Sequence, residues 1–375
     1  MTHKILLIFG TRPEAIKLCP VVRSLRQQAG HFNVKVCVTA QHREMLDQVL
    51  EAFQVVPDYD LNLMLPGQTL FQSTSRILAG LEPVLLEEKP AMVVVQGDTT
   101  STLCGALAAF YSRVPVAHVE AGLRTHDIHQ PFPEEMNRVV AARLATLHFA
   151  ATQNAADNLR AEGVPANSIT VTGNTGIDAV LYVRDGLERG ALRGVDWPDL
   201  DTSKKLIVVT AHRRESFGEG FARICRALAR IADHDDVQIV YPVHPNPNVR
   251  DPVQRYLAGH PNVRLIAPQS YIPFVDLMRR AYLLITDSGG IQEEGPSLGK
   301  PILVLREKTE RPEAVTAGTV KLVGTDEDRI VREAESLLGD SGAYHQMSRV
   351  HNPYGDGLAS PRISSVIHSF LETNT

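Results

Sequence analysis

Three acidic residues in the first half of the chain are placed where a parallel sheet would bring them together. Asp98 and Glu120 each follow a short apolar run, and Glu134 opens a helical stretch directly after Pro133. Because the carboxyl ends of parallel strands meet at one edge of a sheet, these side chains can form an acid/base set. Two ordinary alternatives stay open at this point. Asp98 could cap the next helix, and Glu134 could complement the dipole of its own helix.

Positively charged side chains follow other apolar runs. Arg12 lies in the turn 9–14, which opens a helix that carries Lys17, and His212 begins a basic turn in the second half of the chain. Free amides at a helix N-terminus and guanidinium groups both bind phosphates, so these turns are candidate anion sites. Ordinary solvated charges on a surface would give the same composition.

The most specific local pattern begins at Asp287. Ser288, Gly289 and Gly290 follow an apolar run and can present backbone amides to a phosphate without interference from a Cβ atom. Glu294, about one helical turn later, can reach ribose hydroxyls. The alternative is plain helix capping by Asp287 or Ser288.

Several kinds of site are not indicated. The cluster from His126 to His129 lacks the ligand spacing of a zinc or iron site. The turn at Gly10 has one glycine where the dinucleotide fingerprint needs three, and it is not a P-loop. We therefore expect neither a metal nor a nicotinamide cofactor.

The elements that would position these residues alternate along the chain. Apolar runs of four to six residues are separated by stretches with helical periodicity, which predicts parallel sheets covered on both faces. The pattern restarts after a glycine-rich stretch without strand character, so two doubly wound α/β domains are expected, with the boundary between Gly173 and about Ser203. The predicted strands are 5–9, 34–39, 92–96, 114–119, 147–151, 169–172, 206–210, 237–242, 263–267, 283–286, 302–305 and 319–323. The predicted helices include 15–28, 69–88, 102–112, 134–145, 220–232, 274–281, 291–298 and 326–338.

Composition sets the class of protein. The chain has 375 residues, of which 43 % are hydrophobic and 22 % charged, with a net charge of −5. These values are typical of a globular protein and give no electrostatic reason to bind nucleic acid or an anionic membrane. Four scattered cysteines without metal spacing favour reduced thiols. No apolar run is long enough for a signal peptide or a membrane span, so we expect a cytoplasmic protein.

Taken together, the motifs identify a family resemblance. The chain resembles the non-hydrolysing UDP-N-acetylglucosamine 2-epimerases of bacteria. The motifs occur in the family's order along nearly the whole chain, with no departure at a motif position. The segments that carry the resemblance are 9–14, 96–99, 119–124, 133–138, 212–215, 287–294, 310–313 and 351–357.

The resemblance implies a GT-B-like fold of two Rossmann-like domains with a cleft between them. Residues 1–173 would form the first domain, on which a C-terminal helix at about 361–375 would pack, and 174–360 the second. The implied reaction converts UDP-GlcNAc to UDP-ManNAc through loss of UDP to 2-acetamidoglucal and re-addition, for bacterial surface polysaccharides. A homodimer and activation by a second UDP-GlcNAc are also implied, without nucleic acid or membrane partners.

The resemblance also assigns roles to residues of this sequence. The implied catalytic residues are Asp98, Glu120, Glu134 and His212, of which His212 lies on the phosphate side. Lys17 and Arg138 complete the cleft on the sugar side. The implied UDP contacts are Arg12, Ser288, Gly289, Gly290 and Arg311 for the phosphates, Glu294 for the ribose, and Gln269 and Phe274 for the uracil. The residues similar to the activator region are Gln41, His42 and His244.

Three other functions share parts of this pattern. A GT-B glycosyltransferase would use the same nucleotide half but needs an acceptor surface, and no basic, apolar patch in the first domain indicates one. A hydrolysing epimerase would release ManNAc and UDP, and such enzymes typically carry an additional kinase. A regulator that only binds UDP-sugars would not need the three carboxylates.

Overall fold

The structure is a computed structural model that describes residues 2–39, 43–65, 67–197, 200–349 and 351–374. The chain folds into two compact α/β units. The first runs through Ala179 and takes in the chain again from Gly355, and the second is Val180–Tyr354.

The first unit is built on a parallel sheet of seven strands. Its strands are β1 (His3–Phe9), β2 (Phe32–Val38), β3 (Tyr59–Asp60), β4 (Met92–Gln96), β5 (Val116–Val119), β6 (Leu147–Ala150) and β7 (Ile169–Val171). Its helices are α1 (Arg12–Arg26), α2 (Arg43–Ala52), α3 (Leu70–Glu88), α4 (Thr100–Tyr111), α5 (Glu134–Leu144), α6 (Gln153–Ala161), the start of α7 (Thr175–Glu188) and the last helix of the chain, Ala359–Asn374.

The strand order in this sheet is β3-β2-β1-β4-β5-β6-β7. The apolar residues of β1 and β4 are buried, as expected of central strands covered on both faces. The order reverses between β1 and β4, so the turns that follow these two strands open on the crevice where ligands bind in doubly wound sheets.

The second unit repeats this plan with six strands. Its strands are β8 (Lys205–Thr210), β9 (Val237–Pro242), β10 (Val263–Ile266), β11 (Leu283–Thr286), β12 (Ile302–Val304) and β13 (Val320–Leu322). Its helices are α8 (Glu219–Ala232), α9 (Pro247–Leu257), α10 (Tyr271–Arg280), α11 (Gly289–Glu294), α12 (Pro312–Ala317), α13 (Glu327–Gly339) and α14 (Ser341–Ser348), which makes the last helix α15. The parallel order β10-β9-β8-β11-β12-β13 places the reversal between β8 and β11.

The first part of the glycine-rich stretch predicted to hold the boundary is helical. The chain passes from one unit to the other within α7, which contains Gly176 and Gly186. A Cβ atom at Gly186 would lie 2.6 Å from a side-chain carbon of Leu192, so this glycine allows close packing and does not mark a flexible linker. The helix ends before Gly190, which adopts a φ of +69°.

The C-terminal helix α15 packs on α1 within the first unit. The Ser364 hydroxyl donates to the Ser24 hydroxyl at 2.8 Å. The buried Asp178 carboxylate accepts from the backbone amide of Ser360 at 2.7 Å, which fixes the start of the helix. Among the described residues, none of the helices combines the length and the apolar character that a membrane crossing needs.

Candidate functional site

The first unit places its candidate residues at the carboxyl edge of the central strands. Arg12 is the first residue of α1, directly after the β1 turn, and Asp98 lies in the turn after β4. Glu120 follows β5 and has a φ of +62°, in the left-handed region that residues other than glycine rarely adopt. Such a conformation costs about 1–3 kcal/mol and is found most often at functional sites.

Two side chains hold the Glu120 carboxylate. The Lys17 ammonium lies 2.7 Å from Oε1 and 2.5 Å from Oε2, and Gln96 donates its amide N–H to the same Oε2. The side chains of Lys17 and Glu120 are 18 % and 13 % exposed, so water screens this ion pair only in part. Glu120 is thus a fixed, ionic carboxylate at the edge of the sheet.

Asp98 belongs to a second charged group. Its carboxylate pairs with the buried guanidinium of Arg138, which also lies 3.0 Å from Oε2 of the buried Glu135. Asn137 donates to the backbone carbonyl of Asp98 at 2.9 Å. Asp98 does not cap α4, because the N-cap of that helix is Thr99. The capping alternative for Asp98 is therefore wrong.

Glu134 is the first residue of α5 and is half-buried. No side chain caps this helix at Pro133, so the two glutamates of the first turn complement the free amides. Of the two, Glu135 pairs with Arg138.

The residues that the structure describes contain no group of three side chains that could hold a metal ion.

His118 supports the turn that carries Asp98. The ring is fully buried on β5, and its Nε2–H donates to the Gly97 carbonyl oxygen at 2.7 Å. Burial lowers the pKa of His118 to about 4, against the opposing effect of that hydrogen bond. The imidazole is therefore neutral at pH 7, as its single N–H donor requires.

This buried histidine predicts a loss of stability in acid. An unfolded histidine titrates near pH 6.5, so the unfolded chain binds a proton before the folded one as the pH falls from about 6.5 to 4. The contribution of His118 to the free energy of unfolding is complete above that window and should decrease within it by roughly 3 kcal/mol. Urea unfolding at several pH values should show this decrease in the wild type and a smaller one in His118→Gln. A difference between the two proteins that does not vary with pH would contradict the assignment.

The second unit gathers its candidates around Asp287, which follows β11. This buried carboxylate accepts from the backbone amides of His212 at 2.6 Å and Arg213 at 2.7 Å through one oxygen. Its other oxygen lies 3.4 Å from Nδ1 of His212. Asp287 thus ties the turn after β8 to the turn after β11, and it does not serve as a plain helix cap.

His212 and His244 lie side by side. They follow the neighbouring strands β8 and β9, and their rings stack with centroids 5.7 Å apart. Burial lowers the pKa of His212, while the Asp287 carboxylate opposes that shift. The structure therefore places His244 beside His212, a proximity that the sequence did not indicate.

Arg311 lies next to the turn that leads into α11. Arg311 pairs with the buried Glu293, and its guanidinium lies 3.6 Å from the Cβ position of Gly289. Ser288 is the N-cap of α11 but makes no capping hydrogen bond with its side chain. Gly290 is exposed at the first turn. The backbone amides at this helix start and the Arg311 side chain accordingly lie on one small patch.

The remaining candidates lie on other elements. Glu294 is the last residue of α11 and is half-buried. Phe274 lies in α10, and Gln269 precedes that helix and donates to the Ala267 carbonyl at 2.7 Å. Gln41 and His42 lie outside the described residues.

Sequence reasoning missed the residues that hold the candidates in place. Gln96 donates to the carboxylate of Glu120, and Asn137 donates to the backbone carbonyl of Asp98. Asp287 accepts from a backbone amide of the turn after β8. All three lie within recognised motifs: Gln96 ends β4, Asp287 directly follows β11, and Asn137 lies in the first turn of α5. A polar side chain at such a position is the signal that could have found them.

Comparisons with known proteins show which family the chain resembles. A family model described as UDP-N-acetylglucosamine 2-epimerase matches residues 23–368. The "UDP-N-acetylglucosamine 2-epimerase" of Escherichia coli strain K12 is 60 % identical over 365 residues, 96 % of this chain and 97 % of that protein. A crystal structure of the Neisseria meningitidis UDP-GlcNAc 2-epimerase bound to UDP-GlcNAc has a TM-score of 0.87 at 46 % identity, covering 98 % of this chain and 100 % of that one.

A more distant structure extends the comparison. The Methanocaldococcus jannaschii UDP-GlcNAc 2-epimerase in complex with UDP-GlcNAc and UDP has a TM-score of 0.78 at 33 % identity, covering 98 % of this chain and 99 % of that one. The two Rossmann-like units confirm the predicted GT-B-like fold class. The extent of these matches confirms the resemblance, and the chain belongs to the UDP-N-acetylglucosamine 2-epimerase family.

Proposed function

We propose that the chain interconverts UDP-GlcNAc and UDP-ManNAc by inverting the configuration at C2 of the sugar. Its family relatives are UDP-N-acetylglucosamine 2-epimerases by name, and two related structures hold UDP-GlcNAc. The observation that carries the proposal is Glu120. A carboxylate held by Lys17 and Gln96 on a strained backbone, at the edge of a doubly wound sheet, is suited to proton transfer.

The chemistry of C2 determines the mechanism that we propose. The C2 proton is not acidic, because no carbonyl lies beside it in the ring. In the first step a base removes this proton while the C1–O bond breaks, so the electrons of the C–H bond form the C1=C2 double bond and those of the C1–O bond leave with UDP. The products, 2-acetamidoglucal and UDP, stay bound. UDP then adds back to C1 as C2 takes a proton on the opposite face.

The first unit supplies the groups for proton transfer. Asp98, Glu120 and Glu134 are the proposed acid/base residues, and the first two are held in place by Arg138 and Lys17, respectively. A cationic partner fixes the direction in which a carboxylate points, which favours its use in proton transfer. On this proposal, residues 1–173 carry the sugar chemistry, and the helix near 361–375 packs on that domain.

The second unit, residues 174–360, is proposed to hold UDP. Negative charge develops on the β-phosphate as the C1–O bond breaks, and positioned donors stabilise that charge. The proposed phosphate contacts are His212, Ser288, Gly289, Gly290 and Arg311, joined by Arg12 of the first unit. Glu294 is proposed to bind the ribose, and Gln269 and Phe274 the uracil.

Replacing Asp287 tests the phosphate role of His212. In Asp287→Asn one oxygen can still accept from the two backbone amides, but an NH2 group replaces the carboxylate oxygen beside His212. The loss of this negative charge should lower the pKa of His212 further. We expect UDP to bind about tenfold more weakly, by calorimetry at pH 6, because fewer imidazoles are protonated.

The exposed Asp201, whose carboxylate accepts from Ser203 at 2.6 Å, offers a control of the same type. Asp201→Asn should bind UDP as the wild type does. Equal UDP affinity in Asp287→Asn and the wild type would contradict the phosphate role of His212.

The proposal includes the cellular setting of the family. We propose a cytoplasmic homodimer that supplies ManNAc units for surface polysaccharides and uses no cofactor, since the elimination and addition balance without one. We also propose that a second UDP-GlcNAc activates the enzyme at a region that includes Gln41, His42 and His244. The stacking of His244 on His212 supports a place for that ligand beside the UDP phosphates.

Product analysis tests the proposed activity. The purified chain, without metal or NAD, should convert either UDP-GlcNAc or UDP-ManNAc to the same equilibrium mixture, as separated by anion-exchange chromatography. Release of free ManNAc and UDP would indicate a hydrolysing enzyme. If the substrate stays unchanged, the remaining functions are those of a glycosyltransferase or of a protein that only binds UDP-sugars.

A further inference from the structure

A buried carboxylate, Glu14, lies where the strand order of the first sheet reverses. Its side chain is almost fully buried, although it belongs to the first turn of α1. One oxygen, Oε2, accepts from the backbone amides of Gly10 at 3.0 Å and Thr11 at 2.7 Å. The other, Oε1, accepts from the Thr99 hydroxyl at 2.6 Å. Each oxygen thus serves one turn, the first after β1 and the second after β4.

Thr99 is the connection on the β4 side. Its hydroxyl donates to Glu14 and accepts from the backbone amide of Thr102 at 3.1 Å, so it also caps α4. The hydroxyl of Thr102 lies 2.5 Å from the Gln96 carbonyl and 3.2 Å from Glu14, so its single proton goes to the carbonyl. Thr99 is the residue directly after Asp98. Its hydroxyl is therefore the side-chain donor that links Glu14 to the turn that carries Asp98.

A capping box alone does not require this carboxylate. In α3 the same box is formed by Thr69 and Gln72, and the Gln72 side-chain oxygen accepts from the Thr69 amide at 2.9 Å. A glutamine therefore suffices for the cap in this protein. Burying a carboxylate also has a cost, seen in the raised pKa of Glu14, which is caused by desolvation. Its second oxygen needs a role beyond capping.

The two turns are also packed closely. A Cβ atom at Gly10 would lie 2.1 Å from the Thr39 hydroxyl and 2.5 Å from the Ser101 hydroxyl, so not even a methyl group fits there. Thr39 and Ser101 hydrogen-bond to each other at 2.7 Å. The turn after β1 and the start of α4 thus meet with no free space, and Glu14 joins them by hydrogen bonds.

We propose that Glu14 is a positioning residue for epimerisation, whose carboxylate holds the turn of Arg12 and the turn of Asp98 at a fixed spacing. This rests on the proposed function, in which Arg12 contacts phosphate and Asp98 contacts the sugar. A small displacement of a reacting group lowers the rate strongly, so a rigid link between the two turns contributes to the rate without contact with the substrate.

Two variants break the Thr99 half of this link. Thr99→Val removes the hydroxyl, and Glu14→Gln keeps its oxygen for Gly10 and Thr11 but turns an NH2 group toward Thr99. Each should lower kcat about tenfold. The double variant should lose no more than either single one, because both remove one interaction. Thr99→Ser should restore kcat, and the Kd for UDP of Thr99→Val should stay within twofold of the wild-type value.

Thr69→Val is the matched control. It removes the same kind of N-cap from α3, at a similar cost of about 1 kcal/mol, and the side-chain partner of this cap is Gln72 in the same helix. It should keep the wild-type kcat. The inference is overturned if Thr99→Val and Glu14→Gln keep the wild-type kcat, or if Thr69→Val loses as much as Thr99→Val. A wild-type protein that does not epimerise would instead overturn the proposed function, and the role of Glu14 with it.

Discussion

Glu120→Gln is expected to lower kcat about 10³-fold, the effect of removing a general acid or base. Glutamine preserves the size of the side chain but cannot take up a proton at neutral pH. It also leaves the Lys17 ammonium, now 2.5 Å from the carboxylate, without that negative charge. Turnover is measured by chromatographic separation of the two UDP-sugars, and UDP affinity by calorimetry. UDP affinity should change little, because its proposed contacts are mostly in the second unit.

The same sheet offers a matched control at its opposite edge. Glu88 precedes β4 and pairs with Lys4, at the start of β1, at 2.6 Å, and it also accepts from Tyr59 at 2.6 Å. Glu88→Gln removes the same charge from a partly buried Glu–Lys pair at the amino-terminal edge. It should cost stability but leave kcat unchanged. If Glu120→Gln keeps kcat within tenfold of the wild-type value, Glu120 is not an acid/base residue.

Asp98→Asn is expected to lower kcat by about 10²-fold or more without unfolding the chain. Arg138 keeps its second partner, Glu135, at 3.0 Å, so no buried cation is left uncompensated. The hydrogen bond from Asn137 reaches the backbone of Asp98 and does not depend on its side chain. The measurement is kcat together with the melting temperature, which should stay close to the wild-type value.

Asp157 in α6 provides the comparison for Asp98. It pairs with Arg160 at 2.6 Å on the exposed surface of the same unit. Asp157→Asn should affect neither kcat nor melting. A large fall in the melting temperature of Asp98→Asn would show instead that the Asp98–Arg138 pair is mainly structural.

The strands and the edge that carries the site were largely predictable. A buried parallel strand is a continuous apolar run, and β4, β9 and β11 have the bounds that their runs predict. The capping box of Thr11 and Glu14 also follows from its spacing and is present. By contrast, β3 has two residues, too few for any periodic pattern. The helical character of α7 was hidden by glycines that serve packing.

The contacts that organise the site were not predictable from local pattern. Lys17 and Glu120 are 103 residues apart, and Arg138 and Asp98 are 40 apart. Such pairs depend on strand order, which periodicity does not determine. The order of the family's motifs indicated which residues are candidates for the site. Only the fold shows which of these residues form ion pairs and hydrogen bonds with one another.

The central claim is that C2 loses its proton and regains one from solvent. The direct test is to incubate the purified wild-type chain with UDP-GlcNAc in D2O, without metal or NAD, and to follow the sugar by proton NMR. The account predicts UDP-ManNAc that carries deuterium at C2. UDP-ManNAc that forms with its C2 proton retained, or an unchanged spectrum from a chain that still binds UDP-GlcNAc, would contradict it.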